Sequence, residues 1–178
     1  MVDVQTVTVI ARPCREVAAY AADPDNAPRW YRNIRSAQWR SAPPLQLGSE
    51  VAFTARFLGR ELAYVYRITE LVPGEKLVMR TVQGPFPMQT SYTWAAVDES
   101  STRMTLRNSG EPSGFSRVLA PLMATMMRRA TRQDLKRLKA ILESRERPSR
   151  NVPDGAAGTQ QTTAPRAKPG CINGRKTS

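Results

Sequence analysis

The stretch VAFTARFLGRELAYVYRI, residues 51–68, decides the fold of this chain. Apolar side chains recur at every second position before Leu58-Gly59 and again after it, which is the period of a β-strand with one buried face. A two-residue connection between two such runs is typical of a tight hairpin. The stretch therefore predicts two neighbouring antiparallel strands that turn one face toward a core.

Further runs of the same character flank this hairpin, and turn residues separate them. Turns at Pro43-Pro44, Pro73-Gly74, Gly84-Pro85 and residues 98–101 are spaced for an antiparallel meander rather than for βαβ crossovers. The first run, from Val4 to Ala11, is rich in β-branched residues. We therefore expect one curved antiparallel sheet of about seven strands, at residues 4–11, 34–41, 49–57, 60–70, 76–83, 88–97 and 102–109.

Two short helices and one long C-terminal helix complete the predicted domain. Pro13 suits the first turn of the first short helix. Asp23-Pro24 ends that helix and begins the second, with Asp23 as its cap. The apolar period then becomes helical from Phe115 to about Glu143. The fold class is α+β, and the domain covers residues 1–144.

The composition excludes several classes of function. No run of about 18 apolar residues is present to span a bilayer, and the N-terminus lacks the features of a secretory signal, so we expect a cytoplasmic location. The chain has no histidine and two cysteines, Cys14 and Cys171, which removes Ser-His and Cys-His nucleophiles and supports no disulfide or metal cage. We predict no metal site and no cofactor, so any chemistry must use carboxylates, Tyr, Arg, Lys or water.

The chain is basic throughout. Residues 1–144 carry 20 basic against 13 acidic side chains, and residues 145–178 carry 7 against 2. The second segment is rich in Pro, Gly, Thr, Gln and Arg, which predicts a disordered basic tail. Because the basic residues lack interleaved aromatics, nucleic-acid binding is disfavoured.

Basic side chains also follow one face of the long helix, at Arg128, Arg129, Arg132, Lys136 and Lys139. A solvated outer face is the first interpretation of this stripe. Peripheral contact with an anionic membrane is the alternative.

Five motifs carry a resemblance to a known family: Ile10-Ala11-Arg12-Pro13 with Val17 and Tyr20, residues 23–30, Leu47-Gly48-Ser49, residues 66–77, and residues 134–139. In this order they resemble the SRPBCC superfamily, the START-like or helix-grip group that includes polyketide cyclase/dehydrase and lipid-transfer proteins. The resemblance covers residues 1–144. It implies a helix-grip fold, in which the sheet closes around the C-terminal helix and an apolar or amphipathic ligand lies between them. Some members of the group catalyse cyclisation, dehydration or hydrolysis there.

Candidate ligand contacts combine strand alternation with the helical period. Aromatic rings at alternate positions of neighbouring strands can form one wall of a cavity, and methionines on the helix adapt to an irregular ligand. Each of these side chains also has a possible packing role, and Trp30 in particular suits a core plug. Phe86, between two prolines, suits either a flap or a fixed rim. The predicted contacts are Trp30, Phe53, Tyr64, Tyr66, Phe86, Tyr92, Trp94, Leu119, Met123, Met126 and Met127.

The leading hypothesis is binding or transport of a hydrophobic small molecule, such as a polyketide, a lipid or an isoprenoid-like compound. The alternative is a polyketide cyclase or dehydrase. Its acid or base would be Tyr64, Tyr66 or Tyr92, with Arg56, Arg67 or Arg80 beside a developing charge. Strand alternation points Arg56 and Arg67 outward, which weighs against this chemistry. A second alternative is a membrane or protein adaptor that uses the basic helix face. The catalytic residues, the ligand and the oligomeric state stay open.

Overall fold

A computed structural model describes residues 2–57, 59–110 and 120–144. The predicted tail at 145–178 and the predicted start of the long helix before residue 120 lie outside these residues. The elements are β1 Val2–Ile10, α1 Cys14–Ala22, a 3-10 turn Pro24–Asn26, α2 Ala27–Trp30, β2 Ile34–Trp39, β3 Glu50–Phe57, β4 Arg60–Val72, β5 Lys76–Gln83, β6 Met88–Asp98, β7 Ser101–Gly110 and α3 Ala120–Ser144.

The seven strands form one antiparallel sheet in the order β1-β7-β6-β5-β4-β3-β2. The hairpin of β3 and β4 pairs Phe57 with Arg60 and Val51 with Tyr66. Gly59 in its turn has a φ of 79°, a conformation that glycine adopts without steric cost. The predicted meander and its fold class are confirmed.

The short helices form where the turn residues predict them, with one difference at Pro13. Pro13 occupies the cap position before α1 rather than its first turn. The Asp23 carboxylate accepts a hydrogen bond from the backbone N–H of Asp25, as a capping residue does. Trp30 at the end of α2 is completely buried and stacks on Tyr31, with 3.9 Å between ring centroids. This packing fixes the chain where it enters β2.

The long helix α3 packs against the concave face of the sheet through buried leucines at positions 135, 138 and 142. Its end is held by Arg12, whose Nε donates to the carbonyl of Leu142 at 2.8 Å. Nearer its start, the hydroxyls of Thr6 on β1 and Thr131 lie 2.9 Å apart. These contacts fix the rotation of α3 about its axis. No helix in the described part of the chain has the length and apolar character to cross a membrane.

Candidate functional site

A cavity of about 190 Å³ lies between the sheet and α3. The helix contributes Met127, Ala130, Thr131 and Asp134, whose i, i+3, i+4, i+7 spacing places them on one stripe. The remaining lining residues come from the strands and from two loops. They are Tyr31, Asn33, Ile34, Phe53, Ala55, Leu62, Tyr64, Tyr66, Phe86, Met79, Met88, Thr90, Tyr92 and Asn108.

One wall of the cavity is aromatic. The ring of Tyr66 lies 5.9 Å from that of Phe53 and 6.2 Å from that of Tyr64. Phe86 meets Tyr64 edge to face at 6.0 Å. Gly84 lies against the same ring, because a Cβ added to it would approach Tyr64 Cδ1 to 2.7 Å. A glycine in this loop therefore allows the Tyr64 ring its position in the wall.

Two hydrogen-bonded groups of polar residues lie in the cavity lining. At the first, the hydroxyls of Tyr31 and Tyr92 are 2.7 Å apart, and Asp134 Oδ1 accepts a hydrogen bond of 2.9 Å from the backbone N–H of Arg32. At the second, the Thr90 hydroxyl donates to Asn108 Oδ1 at 2.7 Å across a directly paired position of β6 and β7. An otherwise apolar cavity thus offers a few fixed hydrogen-bonding groups, as ligand sites usually do.

Burial shifts the titration of these groups upward. Desolvation raises the pKa of Tyr66 to about 12, and it raises the pKa values of Tyr31 and Tyr92 well above their ordinary value. Desolvation also raises the pKa of Asp134 to about 6, although the hydrogen bond from Arg32 opposes the shift. The cavity tyrosines are therefore neutral near pH 7, where Asp134 is the lining residue that can change its protonation state.

Six of the predicted contacts line the cavity together: Phe53, Tyr64, Tyr66, Phe86, Tyr92 and Met127. Trp30 does not line it, because it is a core residue beneath Tyr31. Met126 is 37% exposed, since it lies one helical step of about 100° from Met127. Leu119 and the side chain of Met123 lie outside the described residues.

Trp94 borders a different space. A groove of about 900 Å³ lies between α1, the loop before β3 and the β4–β5 turn, and Trp94 lines it together with Ala18, Trp39, Leu71 and Glu75. Many of its other walls are exposed loop side chains. The groove is larger than the cavity, but a greater share of its lining is polar, so the cavity under α3 is the better candidate for binding an apolar ligand.

Sequence reasoning missed Tyr31, Thr90, Asn108 and Asp134 as lining residues. One signal was available for three of them. Thr90 and Asn108 stand at inward positions of their strands, where polar residues interrupt an apolar series. Asp134 likewise interrupts an apolar helical stripe, although its resemblance motif suggested only a fold role.

The three candidate arginines lie away from the cavity. Arg67 pairs with Glu50 on the exposed side of the sheet, with its Nη2 2.6 Å from Oε1. Arg80 Nε donates to Gln89, and Arg56 is exposed. Among the residues the structure describes, no group of three or more Cys, Asp and Glu side chains could hold a metal ion.

A curved sheet that closes on a C-terminal helix over such a cavity defines a START-like, helix-grip protein. The family model described as polyketide cyclase / dehydrase and lipid transport matches residues 1–143, so the chain belongs to this family. A sequence comparison with curated proteins finds no match.

Solved structures agree on the fold. The protein TTHA0849 from Thermus thermophilus is similar with a TM-score of 0.70 and 17% identity, covering 81% of this chain and 99% of that protein. A START superfamily protein from Mycobacterium smegmatis has a TM-score of 0.70 at 12% identity, with 79% and 97% covered. The Zhui aromatase/cyclase from Streptomyces sp. R1128 has a TM-score of 0.69 at 15% identity, with 84% and 98% covered.

Proposed function

We propose that this chain is a cytoplasmic carrier that binds a hydrophobic small molecule in the cavity between the sheet and α3. The observation that carries the proposal is a mostly apolar cavity whose lining includes two hydrogen-bonded pairs of polar side chains, Tyr31 with Tyr92 and Thr90 with Asn108. Such a cavity gives an apolar ligand a favourable transfer from water and orients it through few hydrogen bonds. The proposed ligand classes are polyketides, lipids and isoprenoid-like compounds.

The volume of the cavity limits the part of the ligand that it encloses. An apolar cavity of about 150 Å³ is enough to hold benzene. The 190 Å³ under α3 therefore suits one substituted ring or a short branched chain. A longer ligand would extend past the lining residues of α3.

A matched pair of α3 variants tests the proposal. Ala130 lines the cavity, whereas Ala140 is exposed on the same helix. Ala130→Phe fills the cavity and is expected to weaken binding of small apolar probes by about tenfold or more, and Ala140→Phe is expected to bind like the unchanged protein. Calorimetry with propylbenzene and 4-propylphenol, and native mass spectrometry of the purified protein, give the readouts. Absence of any bound compound in both measurements would reject the carrier function, and equal binding by both variants would reject the cavity as the site.

A polyketide cyclase or dehydrase is the second candidate, and Asp134 favours it. A buried carboxyl whose pKa is raised to about 6 can exchange a proton near neutral pH. The candidate predicts turnover of a linear polyketide that is lost in Asp134→Asn and reduced in Tyr92→Phe. Binding without turnover would leave the carrier as the function.

The adaptor alternative rests on the basic face of α3. Arg128, Arg129, Arg132 and Lys136 are exposed, and Lys139 is tied to Glu143 and to the carbonyl of Val9. Salt-sensitive sedimentation with anionic vesicles, lost on charge reversal at Arg128 and Arg129, would support it.

A further inference from the structure

The charge pattern of the cavity is unusual for a basic protein. The whole chain carries a net charge of +12, yet among the described residues that line the cavity Asp134 alone bears a formal charge. Asp134 is 3% exposed and faces the same space as the aromatic wall. Among these described residues, a ligand therefore meets one negative group and no positive one.

The arginines nearest to Asp134 do not cancel this charge inside the cavity. Arg32 contacts the carboxylate through its backbone N–H, while its guanidinium is directed to Gln133, with Nη1 2.9 Å from Oε1. Arg137 is exposed on α3. Both arginines lower the pKa of Asp134 only partly, since desolvation has the larger effect. Neither lines the cavity.

The two tyrosines beside Asp134 define what the ligand must offer. Tyr31 and Tyr92 share one hydrogen bond between their hydroxyls. Two hydroxyls carry two protons, so one O–H of the pair still has a proton to donate. Besides desolvation, the negative charge of Asp134 raises the pKa of both tyrosines, so the three groups interact electrostatically. A ligand hydroxyl can accept from the tyrosine pair and donate to the carboxylate.

We propose that Asp134 makes the cavity selective for ligands whose buried end is a neutral hydroxyl, an alcohol or a phenol, against the corresponding carboxylates. A carboxylate ligand has no proton to donate and would lie beside the like charge of a buried side chain, which is costly. A ligand without a polar end fits the apolar walls but makes no hydrogen bond to the tyrosine pair or to Asp134. This inference rests on the proposed carrier function.

Three probes of nearly equal shape test the selectivity: 4-propylphenol, propylbenzene and 4-propylbenzoate. Each is titrated by calorimetry at neutral pH into the full chain. The expected order is phenol first, propylbenzene second and benzoate last, with phenol bound at least about tenfold more tightly than benzoate.

Two variants assign the effect to one residue. Asp134→Asn keeps the acceptor for the N–H of Arg32 and removes the charge, so it is expected to admit benzoate and reduce the phenol preference to about threefold or less. Asp98→Asn, at the exposed end of β6, is the matched control and is expected to keep the full preference.

The outcomes separate the two proposals. If none of the three probes binds, the carrier function itself fails. If the probes bind but the unchanged protein prefers benzoate or does not discriminate, the selectivity inference is overturned while the carrier function stands. Retention of the full preference by Asp134→Asn would overturn the role of Asp134. The order in the unchanged protein needs no variant, so poor folding of a variant leaves the inference testable.

Discussion

Replacement of Asp134 by asparagine tests how the buried carboxyl limits stability. The variant keeps the size of the side chain and an oxygen that can accept from the N–H of Arg32. It removes only the negative charge. Because Asp134 is 3% exposed, its ionised form has lost almost all of its hydration, and the change reports on the cost of that loss.

The magnitude follows from the pKa of Asp134. Burial raises this pKa from 3.8 to about 6, a difference that corresponds to about 3 kcal/mol. The folded state binds the proton more tightly than the unfolded state, so the contribution to stability is complete below pH 3.8 and is lost as the pH rises through 6. Relative to the asparagine variant, the unchanged protein is expected to lose up to about 3 kcal/mol of unfolding free energy between about pH 4 and pH 7.

Urea unfolding followed by far-UV circular dichroism at about pH 4, 5, 6 and 7 measures the difference between the two proteins. Asp3 and Glu143 have lowered pKa values and act with the opposite sign, but they are present in both proteins and cancel. The advantage of the variant is expected to grow with pH and level off above about pH 6. An advantage that is constant across this range, or that shrinks with rising pH, would refute the reasoning.

Two further predictions concern the frame of the cavity. Gly84→Ala forces a side chain onto a φ of 155° and against the Tyr64 ring, so thermal melting is expected to show a loss of about 1 to 3 kcal/mol together with weaker probe binding; unchanged binding would contradict the role of Gly84. Arg12→Ala removes the donors to the carbonyls at the end of α3 and is expected to cost about 1.5 to 3 kcal/mol in urea. Its control Arg67→Ala breaks a half-exposed pair worth about 1 kcal/mol or less, and equal losses would show that the cap is not special.

The sequence by itself determined the strands and the meander from β2 to β7, whereas the pairing of β1 with β7 is a feature of the tertiary structure. In the hairpin of β3 and β4, the two-residue period and Gly59 act within a few residues of each other, so local chemistry is sufficient. The same holds for the cap at Asp23, where the carboxylate bonds to a backbone N–H two residues away. Patterns of this kind predict local structure without knowledge of the remaining chain.

Only the tertiary structure decided which side chains share the cavity. Apolar residues lie on most sides of the first half of α3, so the helical period alone did not decide whether Met126 or Met127 lines the cavity. The contact of Thr131 with Thr6 on β1 fixed the rotation of α3 about its axis. Tyr92 and Trp94 share one face of β6 but stand about 7 Å apart along the strand, which is enough to place them in separate spaces. The hydrogen-bond partner of Asp134 is the backbone N–H of Arg32, 102 residues earlier in the chain. Contacts over such separations depend on how the sheet curves around the helix, which no local pattern encodes.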